Sequence, residues 1–140
     1  MGGASGGFIS GPSEVVDMLR NKARTYLFSN AVAPCIVGAA IEAYKMIEES
    51  TELIKNLQNN TRVFRTQMKA AGFKIIGHDE SPIAPVWLGD ARIATQLADK
   101  MLEENIFVIG FSFPVVPKNE ARIRVQLSAG HTEEQVIRCV

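Results

Sequence analysis

Residues 121–131 read ARIRVQLSAGH, and their alternation decides what kind of fold the chain can adopt. Ile123, Val125 and Leu127 fall on one side of an extended strand while Arg122, Arg124 and Gln126 fall on the other, because successive strand side chains point to opposite faces. A strand with one apolar and one polar side belongs to a sheet covered on a single face. The same pattern sets two arginines next to each other on the uncovered face. A guanidinium is a rigid fork that matches a carboxylate or a phosphate, so the pair reads either as an anion clamp or as a solvated sheet face.

Working outward from this strand, Thr132 with Gln135 three residues on has the spacing of a capping box, opening a last helix in which Val136, Ile137 and Val140 need cover. Upstream, residues 105–117 (NIFVIGFSFPVVP) predict a strand. Residues 91–105 predict a helix capped by Asp90, with Ile93, Ala94, Leu97 and Met101 as its apolar face. Residues 81–89 (SPIAPVWLG) predict a strand that two prolines place near an edge or bend, and residues 73–77 (FKIIG) a shorter one. Before them, Leu53, Ile54, Leu57, Thr61, Phe64 and Met68 recur at spacings of three and four, the signature of a long amphipathic helix ended at Gly72. Pro34 opens another helix, whose Gly38, Ala39, Ala40 and Ala43 predict close packing and burial. A loop, FSNAVAP, precedes it, and a short helix follows Pro12 with Ser13 as its cap. Helices followed by a mainly antiparallel sheet with one intervening helix give an α+β layering, helices on one face of a small sheet.

Composition limits the function classes. The 140 residues suffice for one modest domain with a core, 46% are apolar and 21% charged, and fifteen basic residues balance fifteen acidic ones. There is thus no global field to draw nucleic acid or an anionic membrane, and the longest apolar run, IFVIGFSFPVV, is broken and too short to span a bilayer. Cys35 and Cys139 form no CxxC, His78 and His131 share no ligand spacing, no HExxH is present, and GASGG at residues 3–7 is not a GxSxG elbow preceded by a strand. Ser29 and Asn30, in the loop before Pro34, supply short polar groups for an anion oxygen or for an ordinary cap and turn. The opening GGASGG lacks the spacing of a Walker or dinucleotide loop, yet its freedom allows close approach to a ligand or a neighbouring subunit.

Six stretches, in order and with matching spacing, carry a resemblance: GGASGGF, ARTYLFSNAVAP, AGFKIIG, SPIAPVWLGDAR, VIGFSFPVVP and ARIRVQLSAGHT. Together they resemble the pyridoxal-phosphate (PLP)-dependent α-oxoamine synthases over essentially the whole chain, and most of all the branch that joins glycine to acetyl-coenzyme A. The resemblance implies the C-terminal portion of a fold-type I transferase, a small sheet backed by helices plus a long connecting helix. It implies the end of the large PLP-binding domain in residues 1–33, a connecting helical region in 34–71 and a small C-terminal domain in 72–140, its last helix cut short. It further implies Arg124 as the grip on the substrate carboxylate with Arg122 in support, and Ser29 and Asn30 as contacts to the cofactor phosphate across a subunit boundary. The family's cofactor lysine precedes the Gly2–Gly7 turn and is expected upstream of Met1, since Lys22 and Lys45 do not match it; no catalytic residue is therefore assigned in this chain.

The implied reaction interconverts glycine plus acetyl-coenzyme A with 2-amino-3-oxobutyrate plus coenzyme A. The implied setting is a cytoplasmic or mitochondrial homodimer with shared active sites and a functional link to threonine dehydrogenase. Two other readings stay open at this point, a decarboxylating synthase of the 8-amino-7-oxononanoate type and a non-catalytic α+β dimerisation module.

Overall fold

The computed structural model of the chain describes residues 5–140, and the backbone divides into two compact units at Ser50/Thr51. The first contains three helices, α1 (Ser13–Lys22), α2 (Arg24–Phe28) and α3 (Pro34–Glu49). Pro12, not Ser13, is the N-cap of α1: Ser13 is already the first helical residue, and no side chain caps the turn. Ala23 adopts an extended conformation that ends α1 and starts α2, a break that residues 11–27 do not advertise. Pro34 occupies the first turn of α3, where its missing N–H is no loss. The expected burial of α3 is corrected: none of its residues is buried, and only Ile36, Ala40 and Ala43 are half-covered. Its small residues form a surface suited to close packing, left largely uncovered among the described residues.

The second unit is built around the sheet. Its elements are α4 (Glu52–Ala70), β1 (Ile83–Gly89), α5 (Ala91–Glu103), β2 (Ile109–Phe111), β3 (Ala121–Gln126) and α6 (Glu133–Arg138). The strand order is β1-β3-β2, antiparallel throughout, so the alternating segment is the central strand. Ala84 faces Val125 and Val86 faces Ile123 across β1 and β3. These four, with Leu127, Phe64 and Met68 of α4 and Val136 of α6, form the buried core. The α+β architecture of a small antiparallel sheet backed by helices is thus the fold of this unit.

Pro85 lies in the edge strand, where a residue without an N–H does least harm. Residues 73–77 do not form a separate strand. They run along the edge of β1 with a single bridge, Ile75 to Val86, and hydrogen bonds from Ile76 to Pro85 and from Trp87 to Lys74. Asp90 caps α5 by accepting from the amides of Arg92 and Ile93, and Thr132 and Gln135 form the reciprocal capping box of α6. Gly72, at φ +89°, turns the chain out of α4 in a conformation that other residues adopt at a cost. Gly110 serves differently: a Cβ there would come within 3.2 Å of the Ala94 carbonyl oxygen, so β2 lies directly against α5. That contact buries Ala94 and leaves Ile93 half in water, which corrects the expected apolar face of α5.

Three polar side chains of α4 are buried: Thr61 donates to the Leu57 carbonyl of its own helix, and the other two tie α4 to one end of the sheet. Asn60 donates to the carbonyls of Ser128 and His131, just beyond β3, at 3.0 and 2.8 Å. Arg65, 3% exposed, donates to the carbonyls of Ser81 and Ile83 where β1 begins. Because Ile83 pairs with Gln126, these are neighbouring points on the same sheet end. Phe64 between them is fully buried. We expect Phe64→Ala to cost about 3–5 kcal/mol of folding stability and Asn60→Ala about 1–3 kcal/mol, since two carbonyls lose a buried donor. Urea denaturation of the chain measures both, and an Asn60→Ala midpoint equal to that of the parent would contradict the clamp.

Candidate functional site

The sheet has one free face, and parity decides what stands on it. Residues opposite one another in an antiparallel pair share a face. Arg122, Arg124 and Gln126 of β3 therefore stand beside Trp87, Pro85 and Ile83 of β1 and beside Phe111 and Ile109 of β2. The result is an apolar and aromatic shelf that carries two guanidinium groups.

The two arginines differ in what they hold. Arg122 donates from Nε to the Glu120 carbonyl and from a terminal nitrogen to the Glu120 carboxylate at 2.9 Å, and its side chain is only 20% exposed. Glu120 lies two residues earlier on the same strand approach, so this pair is local and already satisfied. Arg124 is exposed, and its guanidinium carbon lies 4.6 Å from the centroid of the Phe111 ring. Among the described residues it holds no carboxylate and no carbonyl. Lys74 is also engaged, its ammonium 4.8 Å from the Trp87 ring centroid. Among the described residues, the free cation of the shelf is therefore Arg124, its forked edge without an internal acceptor. A charged fork of this kind, lying on an aromatic face, is suited to hold a carboxylate in a fixed plane.

Ser29 and Asn30 lie in the first unit, Arg124 in the second. Ser29 ends α2 in an extended conformation and Asn30 follows it, both exposed and without a hydrogen-bond partner among the described residues. The loop that carries them meets the glycine-rich segment: a Cβ at Gly6, φ +137°, would lie 3.3 Å from the Val32 side chain. Gly2 and Gly3 of that segment lie outside the described residues. Near the other end of this unit's chain, the Phe8 ring packs edge-on against Tyr44 at 5.9 Å. His131 is taken up structurally, its Nδ1 accepting from the Ser128 amide. Sequence reasoning missed Phe111 as a partner of Arg124; the signal was there in the register of two adjacent strands, which only pairing reveals.

The α+β frame of the second unit agrees with the family comparison. The family model for aminotransferase class I and II matches residues 1–140, and the chain belongs to that family. Within it the chain is similar to the α-oxoamine synthases. The mitochondrial 2-amino-3-ketobutyrate coenzyme A ligase of Mus musculus is 54% identical over all of this chain and 33% of its own length. The 2-amino-3-ketobutyrate coenzyme A ligase of Escherichia coli is 51% identical over all of this chain and 35% of its own length. The chain thus spans about a third of the length of the curated relatives it matches. A solved variant of serine palmitoyltransferase from S. paucimobilis, with PLP bound as an adduct of myriocin, superimposes with a TM-score of 0.79. It is 24% identical, covering 86% of this chain and 31% of its own, and bears on the fold.

The difference between the arginines is directly measurable. We expect phenylglyoxal to label Arg124 ahead of Arg122 and to leave Arg65 unlabelled, as read by mass spectrometry of the digested chain. Glu120→Gln should accelerate labelling of Arg122. Equal labelling of Arg122 and Arg124 in the parent chain would show that both are equally free.

Proposed function

We propose that this chain forms the C-terminal portion of a PLP-dependent glycine C-acetyltransferase, an enzyme that interconverts glycine and acetyl-coenzyme A with 2-amino-3-oxobutyrate and coenzyme A. The observation that carries the reading is Arg124, an exposed guanidinium with no internal acceptor among the described residues, on the one free face of the sheet. Similarity of the whole chain to two ligases named for that keto acid supports the choice of substrate.

In this reading Arg124 receives the glycine carboxylate through its forked edge, which fixes the orientation of the Cα substituents. Arg122, neutralised by Glu120, supports the shelf beside Arg124 without competing for the ligand. Ser29 and Asn30 fit the phosphate of PLP by the chemistry of the donor set: a hydroxyl and an amide, both short, both exposed, on a loop packed against Gly6. PLP when bound supplies an electron sink for the α-carbon. The lysine that would carry the cofactor is assigned to no residue of this chain. Exposed Tyr26, Leu27 and Phe28, the last 80% accessible, leave apolar surface next to Ser29 and Asn30 and support a homodimer whose phosphate contact crosses the subunit boundary.

The test uses the full-length protein. Arg124→Ala should raise the glycine KM by about tenfold to a hundredfold, because a charged hydrogen-bond pair is lost, while the KM for acetyl-coenzyme A stays within about twofold. Steady-state kinetics at saturating acetyl-coenzyme A measures it. An unchanged glycine KM would remove Arg124 from the substrate site.

A further inference from the structure

We infer that Phe111 is a positioning residue for Arg124, a ring that holds the guanidinium so that its fork is presented to the substrate carboxylate. The inference rests on the reading of Arg124 as the carboxylate grip. Phe111 pairs directly with Arg122, and Ile109 with Arg124, so the ring reaches Arg124 along the diagonal of the β2–β3 pair. The guanidinium carbon lies 4.6 Å from the ring centroid, within the range in which an aromatic face attracts a cation.

This contact answers a problem that Arg124 poses. Arginine carries a long, flexible side chain, and an exposed one ordinarily samples many rotamers; binding a ligand then includes the loss of that freedom. Two features of β2 and β3 narrow the choice. Glu120 engages Arg122, the neighbour on the same face, so it cannot compete for the Phe111 ring from its paired position. The ring offers Arg124 attraction without a hydrogen-bond acceptor, so the donors of the fork stay available to the ligand. A carboxylate or amide in place of Phe111 would hold the guanidinium equally well but would occupy those donors. An aliphatic residue would leave the side chain unrestrained.

In this scheme Phe111 acts only through Arg124, which separates it from a residue that touches substrate. In the full-length protein, Phe111→Leu should raise the glycine KM and the glycine Kd from calorimetry by about threefold to tenfold, the range of a partly exposed cation–π pair. The turnover number and the KM for acetyl-coenzyme A should stay nearly constant. Phe111→Tyr, which keeps the ring face, should restore the parent values. Phe111→Met should behave like Phe111→Leu, so the test does not depend on the folding of one variant.

A double-mutant cycle makes the inference exclusive: in an Arg124→Gln background, Phe111→Leu should have no further effect on glycine kcat/KM. The same fold loss in both backgrounds would overturn the positioning role, as would a normal glycine Kd in Phe111→Leu when Arg124→Gln alone impairs binding. A normal glycine Kd in Arg124→Gln would instead overturn the assignment of Arg124, and with it this inference.

Discussion

A slip of β3 by one residue would bury Arg124 and expose Ile123, and the whole second unit is organised to prevent it. Side-chain parity in a strand is absolute, so a shift of one position exchanges the two faces entirely. Here the exchange would put two guanidinium groups among Phe64, Val86 and Val136. Burying even one unpaired charge is prohibitive on the scale of a domain's net stability, about 5–15 kcal/mol. The apolar residues of β3 therefore act at a distance: by insisting on the inward face they determine which side chains reach the outward one.

Register is reinforced from behind the sheet by α4. Asn60 and Arg65 are both turned inward, and each directs its donors to backbone carbonyls at one sheet end, Asn60 beyond β3 and Arg65 before β1. A neutral amide and a cation make different demands. Asn60 is satisfied by two carbonyls, whereas Arg65 brings a full charge into a covered position and keeps one terminal nitrogen, 3.8 Å from the Asp79 carboxylate, without a hydrogen bond. Asp79 is shared with Lys69 at 2.8 Å, and the hydrogen bond from Lys69 holds its carboxyl below the usual range. The folded-state value lies below the unfolded one, so the contribution of this carboxylate is present above the unfolded value, about pH 4, and fades as pH falls through the folded one. Asp79 is exposed, and screening by water keeps that contribution small.

What the sequence disclosed follows the range of the interactions concerned. The stripe of Leu57, Thr61, Phe64 and Met68, the Asp90 cap, the Thr132–Gln135 box and the alternation of β3 are all set by spacings of two to four residues, and all are legible. The break at Ala23 and the exposed surface of α3 depend on what surrounds those helices, which spacing does not encode. Residues 73–77 have strand composition and lie along the open edge of β1, but Pro85 has no N–H to return the bond it accepts from Ile76, so the ladder stops at one bridge. Ile93 was lost to geometry of another kind: Gly110 lets β2 come up to Ala94, and that approach, not hydrophobicity, sets the rotation of α5. Asn60 and Arg65 were the harder omission. They sit next to the apolar stripe at helical spacing, and polar residues there read as a solvated flank unless the carbonyls they serve are known.

The same distinction explains why two adjacent arginines of one motif come to different uses. From spacing alone Arg122 and Arg124 are equivalent, both outward on a central strand. Their difference arises from position along the strand: Arg122 is close enough to the strand's entry to be met by Glu120, while Arg124 is two residues deeper and faces only Pro85 and Ile109 across the sheet. Neither cross-strand neighbour has a hydrogen-bonding side chain, so the fork of Arg124 is left without an internal acceptor by the composition of β1 and β2. What the charge of Arg124 gives the fold is therefore confined to its contact with the Phe111 ring, and the donors of the fork are left facing outward from the sheet.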